Sequence, residues 1–174
     1  MKRLFFAIPI PKDNKQLLAA PFAKKDFFGI RWITKENLHV NLHFLGDTTD
    51  ETQDHIKKIM PSVCNPIPSF DLELECYKAV STNGKPVMLW AQLGDNTFFE
   101  SLSYSLRELF PTDEARKPRP HITLARIRQL HQLPFNLPIS KSFSFPVNCV
   151  ELWESTLHES GATYKSIAQW KLKD

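Results

Sequence analysis

The chain has 174 residues, 42% hydrophobic and 24% charged, a globular balance that excludes disorder as its main state. Its 22 lysines and arginines against 19 aspartates and glutamates give a net charge of +3, too small for a protein that binds by covering many phosphates, although a local phosphate pocket is compatible with it. Three widely spaced cysteines and no apolar run of roughly 18 to 20 residues predict a cytoplasmic protein without a disulfide framework, zinc cluster or membrane helix.

The first half of the chain mixes strands and helices. Residues 4–8 are continuously apolar and predict a buried strand, which Pro9 and Pro11 end. The same prolines interrupt the apolar run that a signal peptide needs. The further elements expected here are a helix at about 13–25, a strand within 32–44 that Gly46-Asp47 closes, and a helix from 49 to about 63 with an N-cap at Thr49-Asp50-Glu51.

The second half adds hairpins. Alternation over 70–76 predicts a half-exposed strand, and Asn83-Gly84 predicts a tight turn into a partner strand at 87–93. The remaining expected elements are a helix at about 97–110 capped by Asp95-Asn96, a strand at 122–127 after the polar loop 111–120, and strands at 143–154 and 163–172 joined at Ser160-Gly161. These elements predict an α+β fold. A strand, a helix and a histidine-bearing strand recur in each half, which predicts two similar lobes facing one cleft.

Two short segments carry histidines in a strand pattern. Within 38–45, apolar residues alternate with His39, Asn41 and His43, which predicts that these three side chains share one face. Within 121–126, His121 and Thr123 share a face in the same way. A single histidine on an amphipathic strand is more often structural than catalytic, so the doubled pattern is what favours a catalytic interpretation.

A pair of histidines suits hydrolysis of a cyclic phosphodiester. One neutral imidazole takes a proton from water while the other, protonated, donates to the departing ribose oxygen, and an ordinary pKa near 6.5 allows both states. The side chains of Asn41, Thr123 and Arg126 are suited to holding the phosphate oxygens. This chemistry needs no metal or other cofactor.

Other candidates have simpler interpretations. His39 and His43 stand four residues apart, which in a strand is about 13 Å and excludes a shared zinc ion. The remaining histidines, His55, His131 and His158, are expected to be solvent-exposed. Basic residues before and after the second motif either steer RNA or form a charged loop: Lys117, Arg119 and Arg128. Four aromatic residues either stack on a base or pack in the core: Phe5, Phe6, Trp153 and Tyr164.

The two motifs, residues 39–42 and 121–124, resemble the paired His-x-Thr-x motifs of the two-histidine phosphoesterase superfamily, specifically the RNA 2′,3′-cyclic phosphodiesterases, also called 2′-5′ RNA ligases. The likeness covers essentially the whole chain in the right order. Its further positions are 3–8, 36–39, 44–46, Pro120, 150–155, Gly161, Tyr164 and 170–172.

The resemblance implies a single bilobal domain over residues 1–174, with a pseudo-twofold axis through the cleft. It implies His39 as proton donor, His121 as proton acceptor, and Asn41, Thr123 and Arg126 as phosphate-binding residues. The implied substrates are RNA ends with a 2′,3′-cyclic phosphate or 2′-5′ linkages, bound by a monomer away from membranes. The implied activity is hydrolysis to 2′-phosphomonoesters, with reversible 2′-5′ ligation as a side activity.

One residue departs from the family pattern, because Asn41 stands where the motif has threonine. An asparagine amide can donate to a phosphate oxygen, but it is longer and flatter than a hydroxyl, and a misfit of 1 Å costs about 100-fold in rate. Reduced or substrate-shifted activity is therefore expected. Two alternatives stay open: an enzyme for another small cyclic phosphate or 2′-5′-linked oligonucleotide, and an RNA-end binding module with weak or lost catalysis.

Overall fold

A computed structural model describes residues 1–22, 27–113, 116–138, 143–159 and 161–174. Its strands are β1 (Lys2–Pro9), β2 (Ile30–Trp32), β3 (His39–Thr48), β4 (Phe70–Thr82), β5 (Lys85–Leu93), β6 (His121–Ile127), β7 (Ser144–Val147), β8 (Cys149–His158) and β9 (Gly161–Lys171). Its α-helices are α1 (Lys12–Ala19), α2 (Asp50–Cys64) and α3 (Thr97–Leu109), with 3₁₀ turns at Ala20–Phe22 and Lys35–Asn37.

The strands form one curled antiparallel sheet in the order β7-β4-β5-β6-β3-β1-β8-β9, and β2 pairs with β6. In the middle of this order, β3 and β6 pair at Val40 and Ile122. The first lobe lies on one side of this pair and contains β1, β3, β8 and β9; the second lobe contains β4, β5, β6 and β7. The two lobes are related by a pseudo-twofold axis between β3 and β6, which confirms the predicted α+β, bilobal architecture.

The main core lies on one face of the sheet. Helices α2 and α3 pack there through buried apolar side chains: Ile56, Met60 and Cys64 from α2, and Phe99, Leu102 and Leu106 from α3. Strand residues Ile8, Val40 and Ile122 are fully buried against them. The opposite face of the central strands, called the cleft face below, is left uncovered by α2 and α3. Within the described ranges, no helix combines the length and apolar character needed to cross a bilayer.

Local signals fix several element ends as predicted. The Thr49 hydroxyl caps α2 by accepting from the Thr52 amide at 3.2 Å. The Asn96 side chain caps α3 by accepting from the amides of Phe98 and Phe99, both at 3.0 Å. Asn83 and Gly84 both have positive φ, at 50° and 75°, which matches the right-handed twist of the β4–β5 hairpin.

Other boundaries differ from the prediction. Strand β3 continues through Gly46, whose φ of 75° marks an irregularity in the pairing with β1 rather than an end. The strand expected at 143–154 is two strands: β7 pairs with β4 in the second lobe, and β8 pairs with β1 in the first. Helix α1 ends at Ala19, before Pro21; part of its predicted length, 23–26, and Ser160 of the predicted turn lie outside the described residues.

Candidate active site

The two histidine motifs meet at the centre of the sheet. His39 is the first residue of β3, His121 is the first residue of β6, and the Val40–Ile122 pair lies between them. Because Val40 and Ile122 point into the core, their neighbours in sequence lie on the opposite, cleft face. The antiparallel pair thus brings together on that face all four motif side chains expected from the sequence: His39, Asn41, His121 and Thr123.

Arg126 reaches the same face because β6 contains a bulge. Opposite β5, Trp90 pairs with Thr123, Leu89 with Ala125 and Met88 with Arg126, so Leu124 is the extra residue. Strict alternation would place Arg126 on the core face with Ile122. The bulge reverses the alternation, and Arg126 is exposed on the cleft face.

Strand β3 also contains a bulge, and its position contradicts one prediction. Opposite β1, Ala7 pairs with Asn41, Phe6 with His43 and Phe5 with Phe44, so Leu42 is the extra residue. The expectation that His43 shares a face with His39 is therefore wrong: His43 is buried in the core, its Nε2 2.7 Å from the Phe110 carbonyl. Phe44 takes the cleft-face position instead.

Both motif histidines are oriented in the same way. His39 Nδ1 lies 2.7 Å from the Asn37 carbonyl, and His121 Nδ1 lies 2.8 Å from the Arg119 carbonyl. Because a carbonyl only accepts, each Nδ1 carries the proton and donates. Nε2 is therefore the atom that exchanges a proton in each ring, as an acceptor when the ring is neutral and a donor when it is charged.

The surroundings of both rings favour the neutral form. Burial lowers the pKa of His39 to about 4, against the raising effect of the Asn37 carbonyl, and the nearby His121 and Lys15 lower it further. Burial also lowers the pKa of His121, with the Arg119 carbonyl opposing and Arg116 adding to the decrease. A bound anionic phosphate would act in the opposite direction on both groups.

Different aromatic residues hold the two rings. His39 lies among Phe5, Trp153 and Tyr164, with ring centroids at 5.0, 5.1 and 5.3 Å. These side chains, with Ala7, form a second apolar cluster on the cleft face, whereas Phe6 belongs to the main core. Four aromatic residues were expected either to stack on a base or to pack in the core. Three of them, Phe5, Trp153 and Tyr164, pack around His39.

His121 is held by a single stacked ring. The indole of Trp90 lies parallel to the imidazole, with a centroid distance of 3.7 Å and an interplanar angle of 21°. Trp90 pairs with Thr123, as Ala7 pairs with Asn41 in the first lobe, so the two walls of the cleft differ at this position. The stack limits rotation of the His121 ring and keeps water from one of its faces.

The remaining candidates occupy the surface. His55, His131 and His158 are exposed, as expected. Lys117, Arg119 and Arg128 are also exposed, and Lys117 forms an ion pair with Glu100 at 2.8 Å.

The sequence of this chain is similar to those of several known proteins. A family model described as LigT like phosphoesterase matches residues 8–90, which include the first motif. A Methanocaldococcus jannaschii protein named RNA 2′,3′-cyclic phosphodiesterase is 27% identical over 177 residues, covering 97% of this chain and 99% of the relative. A Thermotoga maritima protein of the same name is 26% identical over 175 residues, covering 94% and 91%. The chain is thus similar to a LigT like phosphoesterase model over residues 8–90 and to two proteins named RNA 2′,3′-cyclic phosphodiesterase over nearly its whole length.

A solved structure has the same fold as this chain. Escherichia coli LigT, crystallised with NADP⁺, superposes with a TM-score of 0.82 at 24% identity, covering 99% of this chain and 98% of that one. The α+β, bilobal fold predicted from the sequence is therefore confirmed.

Two residues of the cleft were not predicted from the sequence. Trp90 was visible only as part of an apolar strand, although it alternates with Gln92 on the cleft face of β5. Lys15 is distant in sequence, and its electrostatic effect on His39 depends on how α1 packs beside the 3₁₀ turn before β3, where Lys15 Nζ donates to the Glu36 carbonyl at 3.1 Å. Trp90 could have been recognised from its position two residues before the polar Gln92. No local feature of the sequence identifies Lys15.

Proposed function

We propose that the protein hydrolyses the 2′,3′-cyclic phosphate at RNA ends to a 2′-phosphomonoester. The observation that carries the proposal is the placement of two histidines, each with Nδ1 bonded to a carbonyl, on one face beside the central β3–β6 pair. Two imidazoles on either side of a reacting phosphorus supply the base and the acid that an in-line displacement needs. The names of the two curated relatives support the same substrate class.

His121 accepts the proton of the attacking water and His39 donates to the departing ribose oxygen. His39, with a pKa of about 4 in the free protein, requires the negative charge of the substrate to become protonated at neutral pH. The bound substrate thereby raises the pKa of His39, and the protonated His39 then donates the proton that completes the cleavage. This assignment follows the family resemblance, since the two rings are held alike.

Three side chains hold the phosphate as charge develops on its oxygens. Asn41 and Thr123 flank the histidines on the central strands, and Arg126 reaches the cleft face through the β6 bulge. The guanidinium and amide donate N–H groups and the hydroxyl donates O–H, which stabilises the charge of the transition state.

Residues 1–174 act as one bilobal, monomeric, cytoplasmic domain without a metal or other cofactor. The reaction also runs as reversible 2′-5′ ligation when an RNA hydroxyl replaces water.

The test is hydrolysis in EDTA of an oligonucleotide with a terminal 2′,3′-cyclic phosphate. His39→Ala and His121→Ala are each expected to lower kcat by about 100-fold to 10,000-fold, since each removes one proton transfer. His131→Ala, which changes an exposed histidine, is the matched control and should keep full activity. Rates for both motif variants within a factor of two of wild type would refute the two-histidine mechanism.

A second candidate function rests on Asn41. If the amide holds the phosphate out of line, the protein binds cyclic-phosphate RNA ends without turning them over. Folded wild-type protein that binds such an end tightly and releases no product would establish this binding function instead.

A further inference from the structure

Two arginines lie side by side on the cleft face, beyond the histidine motifs. Strand β2 pairs with the second half of β6, and in this pair Arg31 lies directly opposite Arg126. Residues directly opposite each other in a sheet present their side chains on the same face, so Arg31 lies on the cleft face with Arg126. Both side chains are exposed. Arg126, which the proposed function assigns to the reacting phosphate, therefore has a second guanidinium beside it.

The arginine pair concentrates positive charge. The Cβ atoms of opposite residues lie about 4.5 to 5.5 Å apart, and like charges at this separation destabilise a sheet. Among the residues that the structure describes, neither arginine forms an ion pair with a carboxylate, whereas the exposed Lys117 is paired with Glu100 at 2.8 Å. A bound anion would relieve the repulsion, and phosphate matches the planar N–H donors of a guanidinium.

Arg31 extends from β2 to the first lobe. Its Nη1 lies 3.3 Å from the position that a Cβ atom at Gly161 would occupy, at the start of β9. Three residues farther along this strand, the ring centroid of Tyr164 lies 5.3 Å from that of His39. Residues 161–164 span about 10 Å of extended strand. Arg31 and His39 therefore contact opposite ends of one short segment, at a separation on the order of 10 Å.

The position of Arg31 is fixed from both lobes. Its backbone belongs to β2, which pairs with β6, and its guanidinium packs against Gly161, where no side chain competes for the space. The side-chain amide of Asn37 donates to the Ala162 carbonyl at 2.7 Å, which holds the start of β9 against the turn before β3. A guanidinium held in this way loses less conformational freedom when it binds a ligand.

We infer that Arg31 binds the phosphate on the 5′ oxygen of the terminal nucleotide, which in RNA joins this nucleotide to the rest of the chain. The reacting phosphate lies between His39 and His121 in the proposed mechanism, whereas Arg31 lies on the order of 10 Å from His39, where a neighbouring phosphate of the chain fits. A cyclic mononucleotide lacks this second phosphate. The inference rests on the proposed function for its ligand and adds a preference for RNA ends over cyclic mononucleotides.

Calorimetric binding of adenosine 2′-monophosphate and adenosine 2′,5′-bisphosphate tests the inference without requiring turnover. The two compounds differ only in the 5′ phosphate, so the wild type is expected to bind the bisphosphate about 10-fold more tightly, as a hydrogen bond between charged groups provides. Arg31→Gln should remove this advantage and leave the affinity for the monophosphate unchanged. Lys58→Gln, which removes one exposed positive charge from α2 on the core side of the sheet, should preserve the advantage.

Equal affinities of the wild type for the two compounds, or no binding of either, would overturn the inference. An equal loss of affinity for both compounds in Arg31→Gln would also overturn it, because Arg31 would then act on the reacting phosphate or on the fold. Hydrolysis of adenosine 2′,3′-cyclic phosphate with and without a 5′ phosphate is measured in parallel. A bisphosphate advantage that Arg31→Gln removes, without hydrolysis of either cyclic compound, would support the assignment of Arg31 and refute the proposed activity.

Discussion

Asn41 and Thr123 are related by the pseudo-twofold axis, yet their side chains differ in length and shape. Each flanks the Val40–Ile122 pair and follows a histidine by two residues. A threonine hydroxyl donates one short hydrogen bond, whereas the asparagine amide extends farther from the strand. The two halves of the proposed phosphate site are therefore unequal.

Replacing Asn41 with threonine should make the site symmetric and raise kcat for a cyclic-phosphate RNA end. An improvement in fit of about 1 Å corresponds to as much as about 100-fold in rate. Single-turnover rates of Asn41→Thr and wild type on the same oligonucleotide measure the effect. Asn41→Ala serves as the control, since it removes the amide without supplying a hydroxyl and should lower the rate. Equal rates for wild type and Asn41→Thr across a set of cyclic substrates would contradict the prediction.

At the level of elements, helix α3 supports the bulge that shapes the first motif. The bulge residue Leu42 has its carbonyl hydrogen-bonded by the Ser103 hydroxyl at 2.8 Å, in a fully buried position. Just beyond, His43 contacts the Phe110 carbonyl at the end of the same helix. A bulge interrupts the sheet ladder locally, so these contacts from α3 stabilise the reversal that turns Phe44 toward the cleft.

Ser103→Ala should lower the free energy of unfolding by about 1 to 3 kcal/mol, because the buried Leu42 carbonyl loses its partner. Urea denaturation followed by circular dichroism measures this change. Ser101→Ala on the exposed side of the same helix makes the same side-chain change and should cost almost nothing. Equal stabilities of the two variants would show that Ser103 does not hold the bulge.

The bulges also explain which parts of the fold could be predicted from sequence. Caps and turns depend on adjacent residues, so Thr49, Asn96 and the Asn83-Gly84 turn were predicted correctly. The face of His43 depends on an extra residue whose place is set by pairing with β1, and strict alternation gave the wrong face. Arg126 was predicted for the cleft from the chemistry of phosphate binding, although alternation alone would have buried it.

For the molecule as a whole, the half-buried cleft histidines His39 and His121 make stability depend on pH. In the unfolded chain each histidine binds a proton as the pH falls below about 6.5. In the folded protein His39 binds its proton only when the pH falls to its pKa of about 4 or below. Between these values the unfolded state holds more protons, so stability falls as the pH falls through this window and is unaffected by this group above it. His121, whose pKa is also lowered by burial, contributes with the same sign.

The wild type should therefore lose about 2 to 3 kcal/mol through His39 alone between pH 7.5 and 4.5, since each unit of pKa difference is worth about 1.4 kcal/mol. Titrating carboxylates add to the total loss in every variant. His39→Phe keeps an aromatic ring among Phe5, Trp153 and Tyr164 but cannot titrate, so its stability should fall by that much less over the same range. His131→Gln removes an exposed histidine and should follow the wild type.

Urea denaturation at four pH values measures how steeply the free energy of unfolding of each variant changes with pH. This slope separates the effect of His39 from any change in stability at neutral pH. Parallel curves for the wild type and His39→Phe would mean that His39 is already protonated in the folded protein at pH 6, and the acid needed for catalysis would then exist before the substrate arrives.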